Sequence, residues 1–193
     1  MQQDMNIKQE LIRKSIHIAT SVIPIFYLFI LNREQIIILC ISLFIFFLTA
    51  DISRIVIPGL KQIYEKIFGP ILRTVEKGKK LNGATLLFLG FMISVILFEK
   101  QIAIASMFLL SLSDSLAALA GKRYGKVRIF GKTLEGTITF FIASIIIFSF
   151  LFENIFFITG VALFSSLVEL APIPVNDNIS LPVFSGLFMS IFR

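Results

Sequence analysis

The chain has 193 residues, of which 56% are hydrophobic and 22 are phenylalanine, and its mean hydropathy is +0.92. A soluble core of this size does not need so much apolar surface, which excludes an ordinary soluble domain. The net charge of +6 suggests either nucleic acid or a membrane surface as a partner, and the positions of the basic residues distinguish the two.

Apolar stretches of roughly membrane-spanning length recur along the chain. They predict an all-α fold, a polytopic helical membrane protein with about seven transmembrane helices in a single domain, residues 1–193. The stretches are residues 15–31, 35–50, 81–98, 101–120, 136–152, 154–171 and 179–192. We expect the first to be retained rather than cleaved, because polar residues precede it and another span follows at once. The last is short and contains Pro182, which fits a tilted or re-entrant segment.

One segment is neither a span nor a simple loop. Between residues 52 and 77, apolar side chains recur at three- and four-residue spacing, with charged side chains on the other face. We predict an interfacial amphipathic segment, interrupted at Pro58 and Pro70. A surface helix packed on the protein itself explains the same pattern.

The basic residues are unevenly distributed about these spans. Most of the 18 lysines and arginines precede the first span or lie in the two loops on the same side. By the positive-inside rule this side is cytoplasmic, which places the N-terminus inside, at the inner membrane if the cell is bacterial. We therefore interpret the charge as a topology signal and a contact with anionic lipid, and predict no nucleic-acid partner.

Polar side chains gather at the cytoplasmic ends of the spans, where ionisable residues are costly and usually functional. They are His17, Asp51, Asn82, Thr85, Asp114, Glu169, Asp177 and Asn178. Asp114 shares a helix face with Ser111 and Ser115, although a buried aspartate bonded to serines or to a lysine is the alternative. Together Asp114, Glu169 and Asp177 predict a Mg²⁺ site completed by substrate phosphates. His17 is either a catalytic residue or a packing residue.

The loop of residues 121–135 contains Gly131, Lys132 and Thr133, which resemble the end of a P-loop. Five residues rather than four separate Gly125 from Gly131, and a helix-length apolar stretch rather than a strand precedes them, so we exclude a P-loop. We predict a cytoplasmic nucleotide-binding loop in which glycines admit an anion to the backbone and Thr133 caps the next helix. The predicted phosphate partners are Lys122, Arg123, Lys126, Arg128 and Lys132. A purely topogenic loop is the alternative.

Three separated blocks resemble one family. SDSLAALAGKRYGKVRIFGKTLEGT, RKSIHI and VELAPIPVNDNISLP are similar to motifs of the dolichol kinase, phytol kinase and CTP-dependent diacylglycerol kinase family. That family is distantly related to phosphatidate cytidylyltransferases, whose longer terminal signature is absent here. The resemblance covers nearly the whole chain.

The resemblance implies a CTP-dependent kinase that phosphorylates the hydroxyl of a membrane lipid alcohol, of polyprenol, phytol or diacylglycerol type. It implies Asp114 with Glu169 or Asp177 as Mg²⁺ ligands. The implied nucleotide-binding residues are Lys122, Arg123, Gly125, Lys126, Gly131, Lys132, Thr133 and Asn178. Glu135 would orient Lys132 or a metal-bound water, and the base is His17 or Asp114.

The alternative reaction is that of a phosphatidate cytidylyltransferase, which makes CDP-diacylglycerol from CTP and phosphatidate. A transporter or scaffold is disfavoured because no inverted repeat is visible. The lipid and the oligomeric state, including a homo-oligomer, stay open.

Overall fold

The structure is a computed structural model that describes residues 7–57, 59, 60, 62, 64, 66 and 80–193. Helices dominate this part of the chain, which confirms the predicted all-α class. In chain order they are α1 (Ile7–Ala19), α2 (Val22–Phe29), α3 (Arg33–Val56), α4 (Gly83–Leu97), α5 (Lys100–Phe108), α6 (Asp114–Tyr124), α7 (Leu134–Ser149), α8 (Ile155–Leu170) and α9 (Asp177–Phe192). Two short strands, β1 (Arg128–Ile129) and β2 (Lys132–Thr133), pair as an antiparallel hairpin between α6 and α7.

The helices are those of an integral membrane protein. Among the residues that the structure describes, three helical stretches are long and apolar enough to cross a bilayer, namely Gln9–Phe29, Arg33–Val56 and Lys100–Tyr124. Four shorter apolar helices, α4, α7, α8 and α9, accompany them. Each predicted apolar stretch is therefore helical, but seven spans and their orientation stay predictions. The last stretch is a continuous helix with Pro182 inside it.

The longest buried helix carries a local irregularity. A π-helical turn, Leu109–Ser113, joins α5 to α6 without interrupting the helix. In the most apolar window of this combined helix 72% of residues are buried, against 17% in α3. The combined helix is thus the centre of the bundle, and Asp114 follows directly after its π turn.

Close packing of α7 on α6 brings the hairpin region towards Asp114. A Cβ atom added at Gly136 would lie 2.9 Å from the backbone oxygen of Ala117. Only glycine therefore lets the start of α7 approach α6 this closely. The hydrophobic core continues below this contact, through side chains that include Phe91, Leu110 and Phe140.

The predicted interfacial segment lies mostly outside the described residues. Residues 52–56 belong to the last part of α3. Farther along, the Tyr64 ring lies beneath the Arg54 guanidinium, 5.0 Å from its carbon, and the Tyr64 hydroxyl accepts a hydrogen bond from Asn82 Nδ2 at 2.5 Å. Tyr64 therefore packs on the protein, while the interfacial arrangement of 52–77 stays a prediction.

Candidate functional site

A small polar cavity of about 40 Å³ lies where four helices meet at one end of the bundle. Its lining comes from α1, from α6 and from the starts of α4 and α9: Arg13, Lys14, Gly83, Asp114, Asn176, Asp177 and Asn178. The cavity is large enough for about one water molecule. It brings together Asp114, Asp177 and Asn178, three of the side chains that the sequence predicts to act together.

Asp114 is paired with a lysine that sequence reasoning did not assign to the site. Lys14 Nζ donates to the Asp114 carboxylate and lies 3.5 Å from the Asp114 backbone oxygen. Both residues are buried, with 3% of Lys14 and 8% of Asp114 exposed. The pairing of Asp114 with a lysine, raised above as the alternative, is thus observed. It joins α1 to α6.

The same face of α1 carries other groups near Asp114. His17 is buried one turn after Lys14, within electrostatic range of the Asp114 carboxylate. Arg13 lines the cavity and forms an ion pair with Glu10 one turn earlier. α1 begins at Ile7, before the predicted span, so Arg13 and Lys14 are helical residues of the bundle. Helical spacing from Lys14 to His17 is the signal that could have revealed this.

A second charged cluster involves the hairpin. Lys132 Nζ lies 3.1 Å from Glu169 Oε1 and 3.0 Å from Asp177 Oδ2, and it also donates to the Glu169 backbone oxygen. Burial alone would lower the pKa of Lys132, but the Asp177 and Glu169 carboxylates raise it above its ordinary value. Thr137 Oγ1 contacts the other Glu169 oxygen at 3.3 Å. Lys132 therefore ties β2 to α8 and α9.

The predicted Mg²⁺ ligands can be compared with these contacts. Among the described residues no three carboxylate, histidine or cysteine side chains group closely enough to hold a metal. Asp114 contacts Lys14, whereas Glu169 and Asp177 share Lys132. Carboxylate oxygens are the donors that Mg²⁺ prefers, and one or two suffice when phosphates complete the shell. Glu169 and Asp177 therefore fit the ion by donor type, and the three-carboxylate site stays a prediction.

The predicted nucleotide-binding loop is ordered by contacts at its base. Thr133 Oγ1 accepts a hydrogen bond from Gly136 N at 3.2 Å, which is the predicted cap of α7. Glu135 Oε1 accepts from the backbone N–H of Lys126 at 2.9 Å. Glu135 thus holds the loop backbone, whereas the described contacts of Lys132 are to α8 and α9. Lys122 is half-buried, and the other predicted binding residues before β2 are exposed: Arg123, Gly125, Lys126 and Gly131.

A hydrogen-bond network behind the cavity fixes the start of α4. The fully buried Asp51 carboxylate accepts from Arg54 Nε at 2.7 Å, from the Asn82 backbone N–H at 2.8 Å and from Thr85 Oγ1 at 2.6 Å. Asn82 in turn caps α4 by accepting from Thr85 N at 2.9 Å. The sequence placed Asp51, Asn82 and Thr85 on this face, but it gave no indication that they bond to one another.

The network continues into α9. Asn178 Nδ2 donates to the Gly83 backbone oxygen at 2.9 Å, and Asn176 caps α9 by accepting from Asn178 N at 3.0 Å. The N-termini of α4 and α9 therefore both meet the cavity. Helix N-termini carry partial positive charge and unpaired N–H groups, which favour an anion.

Comparison with known proteins finds relatives over most of the chain. An uncharacterised protein of Rickettsia prowazekii is 30% identical to the chain, over 93% of each. CTP-dependent diacylglycerol kinase 1 of Saccharomyces cerevisiae is 30% identical over 74% of the chain and 50% of its own length. Probable phytol kinase 2 of Glycine max is 30% identical over 68% of the chain and 52% of its own length. The chain belongs to the polyprenol and diacylglycerol kinase-like family.

Membership of this family explains why the three sequence blocks occur together. The chain spans about half the length of the two kinases that it matches. No family model matches the chain, and no solved structure matches it.

Proposed function

We propose that the protein is a CTP-dependent lipid kinase, which transfers the γ-phosphate of CTP to the hydroxyl of a membrane lipid alcohol. One observation carries the proposal. Lys14, Asp114 and Asp177 come from three sequence blocks far apart in the chain, and all three line one cavity. The same blocks carry the resemblance to the kinase family. Two of the relatives described above are, by name, a CTP-dependent diacylglycerol kinase and a probable phytol kinase.

The charges around the cavity suit a triphosphate. Arg13, Lys14 and Lys132 supply cations, and the N-termini of α4 and α9 supply N–H groups. Phosphoryl transfer depends mainly on positioning and on neutralising charge on the transferred group. Exposed Lys126 and Arg123 extend the positive surface along the loop, where the rest of the nucleotide would lie.

A divalent cation fits the same proposal. Glu169 and Asp177 would hold Mg²⁺ together with phosphate oxygens. Lys132 would then leave these two carboxylates and bind a phosphate. When bound, the ion would supply further charge neutralisation at the triphosphate. The chain's own groups would hold the nucleotide in line with the lipid hydroxyl and keep the reacting atoms away from bulk water.

The hydroxyl proton needs an acceptor near the cavity. Asp114 and His17 both lie there, and the Lys14 ammonium fixes the direction of the Asp114 carboxylate. Asp114 lines the cavity, so we propose it as the group that accepts a hydrogen bond from the lipid hydroxyl, with His17 beside it as the second candidate. The site would face the cytoplasm, because the basic loops lie at this end.

The test follows the label from CTP. The purified protein, reconstituted in lipid, is given Mg²⁺ and CTP that is labelled at the α or the γ position. The lipid substrates are diacylglycerol, phytol, a polyprenol and phosphatidate, each tested separately. Transfer to lipid from the γ position alone is expected. Transfer from the α position alone would show a cytidylyltransferase instead, and no transfer with any lipid would refute both reactions. An Asp114→Asn variant that still inserts in membranes is the matched control and should be inactive.

A further inference from the structure

The hairpin between α6 and α7 exposes apolar side chains that the fold does not use. Phe130 is 72% exposed, and Tyr124 and Val127 are exposed beside it. Phe130 and Gly131 form the turn with φ values of 49° and 86°. A turn with two positive φ angles suits glycine, asparagine or aspartate and disfavours a bulky aromatic residue. Phe130 therefore does not stabilise the turn. Its presence there is instead evidence that its side chain contacts something outside the protein.

The hairpin and the end of α6 that leads into it are basic. Arg123, Lys126 and Arg128 are all exposed, and the Arg123 guanidinium lies over the Tyr124 ring at 5.5 Å. Exposed aromatic and basic side chains along this short stretch, residues 123–130, match a surface that is both apolar and anionic. The boundary of a membrane that contains anionic lipid has both properties.

The hairpin also continues a surface that meets lipid. Leu134, Ile138 and Ile142 are exposed at four-residue spacing along one face of α7. α7 is an apolar helix of an integral membrane protein, so this face contacts acyl chains. The Leu134 N–H donates to the Val127 oxygen at 2.9 Å, which attaches the base of the hairpin to the first residue of that face.

We propose that the hairpin lies in the headgroup layer of an anionic membrane. Phe130 and Tyr124 insert among the lipids, and Arg128 contacts lipid phosphates. Each basic side chain near an anionic surface contributes about a fivefold preference for the bound arrangement. Because Lys132 is part of the hairpin, contact of the hairpin with the membrane also positions the Lys132 side of the site. The inference rests on the exposure and charge of the hairpin and not on the proposed reaction.

The absence of tryptophan from the chain makes a direct test available. The Phe130→Trp protein, which has a single tryptophan, is placed in vesicles of phosphatidylcholine with or without phosphatidylglycerol. Fluorescence quenching is measured with lipids brominated near the headgroup or near the bilayer centre, with aqueous iodide, and with CTP. Ile142→Trp on the lipid-facing side of α7 is the matched control for deep burial.

We expect Phe130→Trp to be quenched most by bromines near the headgroup and Ile142→Trp by bromines near the centre. Adding Arg128→Glu to Phe130→Trp should weaken binding of the hairpin to anionic vesicles by at least about fivefold. Quenching by iodide with none by brominated lipid would overturn the proposal. Quenching by CTP in place of lipid would also overturn it and assign the surface to the nucleotide. Tyr124→Trp repeats the measurement if Phe130→Trp does not fold.

Discussion

Replacing Lys14 by methionine removes the ammonium group that faces Asp114 while preserving the length of the side chain. Asp114 is then a buried carboxylate without its cation, since 8% of the residue is exposed. Breaking a buried pair from one side costs about 3–5 kcal/mol, whereas replacing both partners by apolar groups is often neutral. We therefore expect Lys14→Met to lower the free energy of unfolding by about 3 kcal/mol. Lys14→Met with Asp114→Leu should regain most of that loss.

Activity should respond differently from stability. If Lys14 and Asp114 act on substrates, the double variant should be folded but inactive in the labelled-CTP assay. Unfolding is followed by denaturant titration in detergent micelles. Glu99→Gln is the control, because the Glu99–Arg193 pair is exposed, at 3.4 Å, and breaking an exposed pair costs less than about 1 kcal/mol. If the double variant lost as much free energy of unfolding as the two single variants lose together, the pairing would be refuted. A fully active double variant would refute the role of the pair in the site.

Three other perturbations test the framework around the cavity. Asp51→Ala should lower the free energy of unfolding by about 3 kcal/mol, measured by denaturant titration, because buried donors of Arg54 and Asn82 lose their acceptor. Gly136→Ala should cost about 1–3 kcal/mol in the same titration because its Cβ meets a backbone oxygen at 2.9 Å, whereas Gly160→Ala meets nothing within 4 Å and should gain up to about 1 kcal/mol. The folded-state pKa of Lys132 is raised above its ordinary 10.5, so its contribution to stability is fully present below that pH and is lost as pH rises through the raised pKa. Lys132→Met should remove this alkaline loss from the pH profile of thermal unfolding.

Each of these expectations has a contrary result. An Asp51→Ala protein as stable as the parent would show that its hydrogen bonds contribute no net stability. If Gly136→Ala and Gly160→Ala changed the free energy of unfolding equally, the close contact between α6 and α7 would not explain why residue 136 is glycine. An alkaline profile that is unchanged in Lys132→Met would mean that the ion pairs with Glu169 and Asp177 do not form.

The sequence predicts much of the fold because membrane-length apolar runs leave few alternatives to helices. It also predicts the capping of α7 by Thr133 and the gathering of Asp114, Asp177 and Asn178, since topology alone brings span ends together. The pairing of Lys14 with Asp114 is harder to foresee, because the partners are 100 residues apart and their contact depends on how helices pack.

Short irregular elements escape prediction for a different reason. β1 and β2 have two residues each, which is too short for an alternating pattern to be visible. The π turn has no distinctive amino-acid composition, because its five residues are leucines and serines that suit any buried helix. The bonds of Asp51 are likewise set by side-chain directions that apolar periodicity does not contain.

The π turn gives Asp114 a position that depends on the geometry of the preceding backbone as well as on residue type. A π turn holds one residue more than the same stretch of regular helix, and each residue of an α-helix advances by about 100°. If all five residues of Leu109–Ser113 became regular α-helix, the extra residue would rotate α6 by roughly that angle relative to α5. The Asp114 carboxylate would then leave Lys14 although every side chain of the cavity was still present. The cavity is therefore tied to the π geometry of a buried leucine–serine stretch that contributes none of its lining residues.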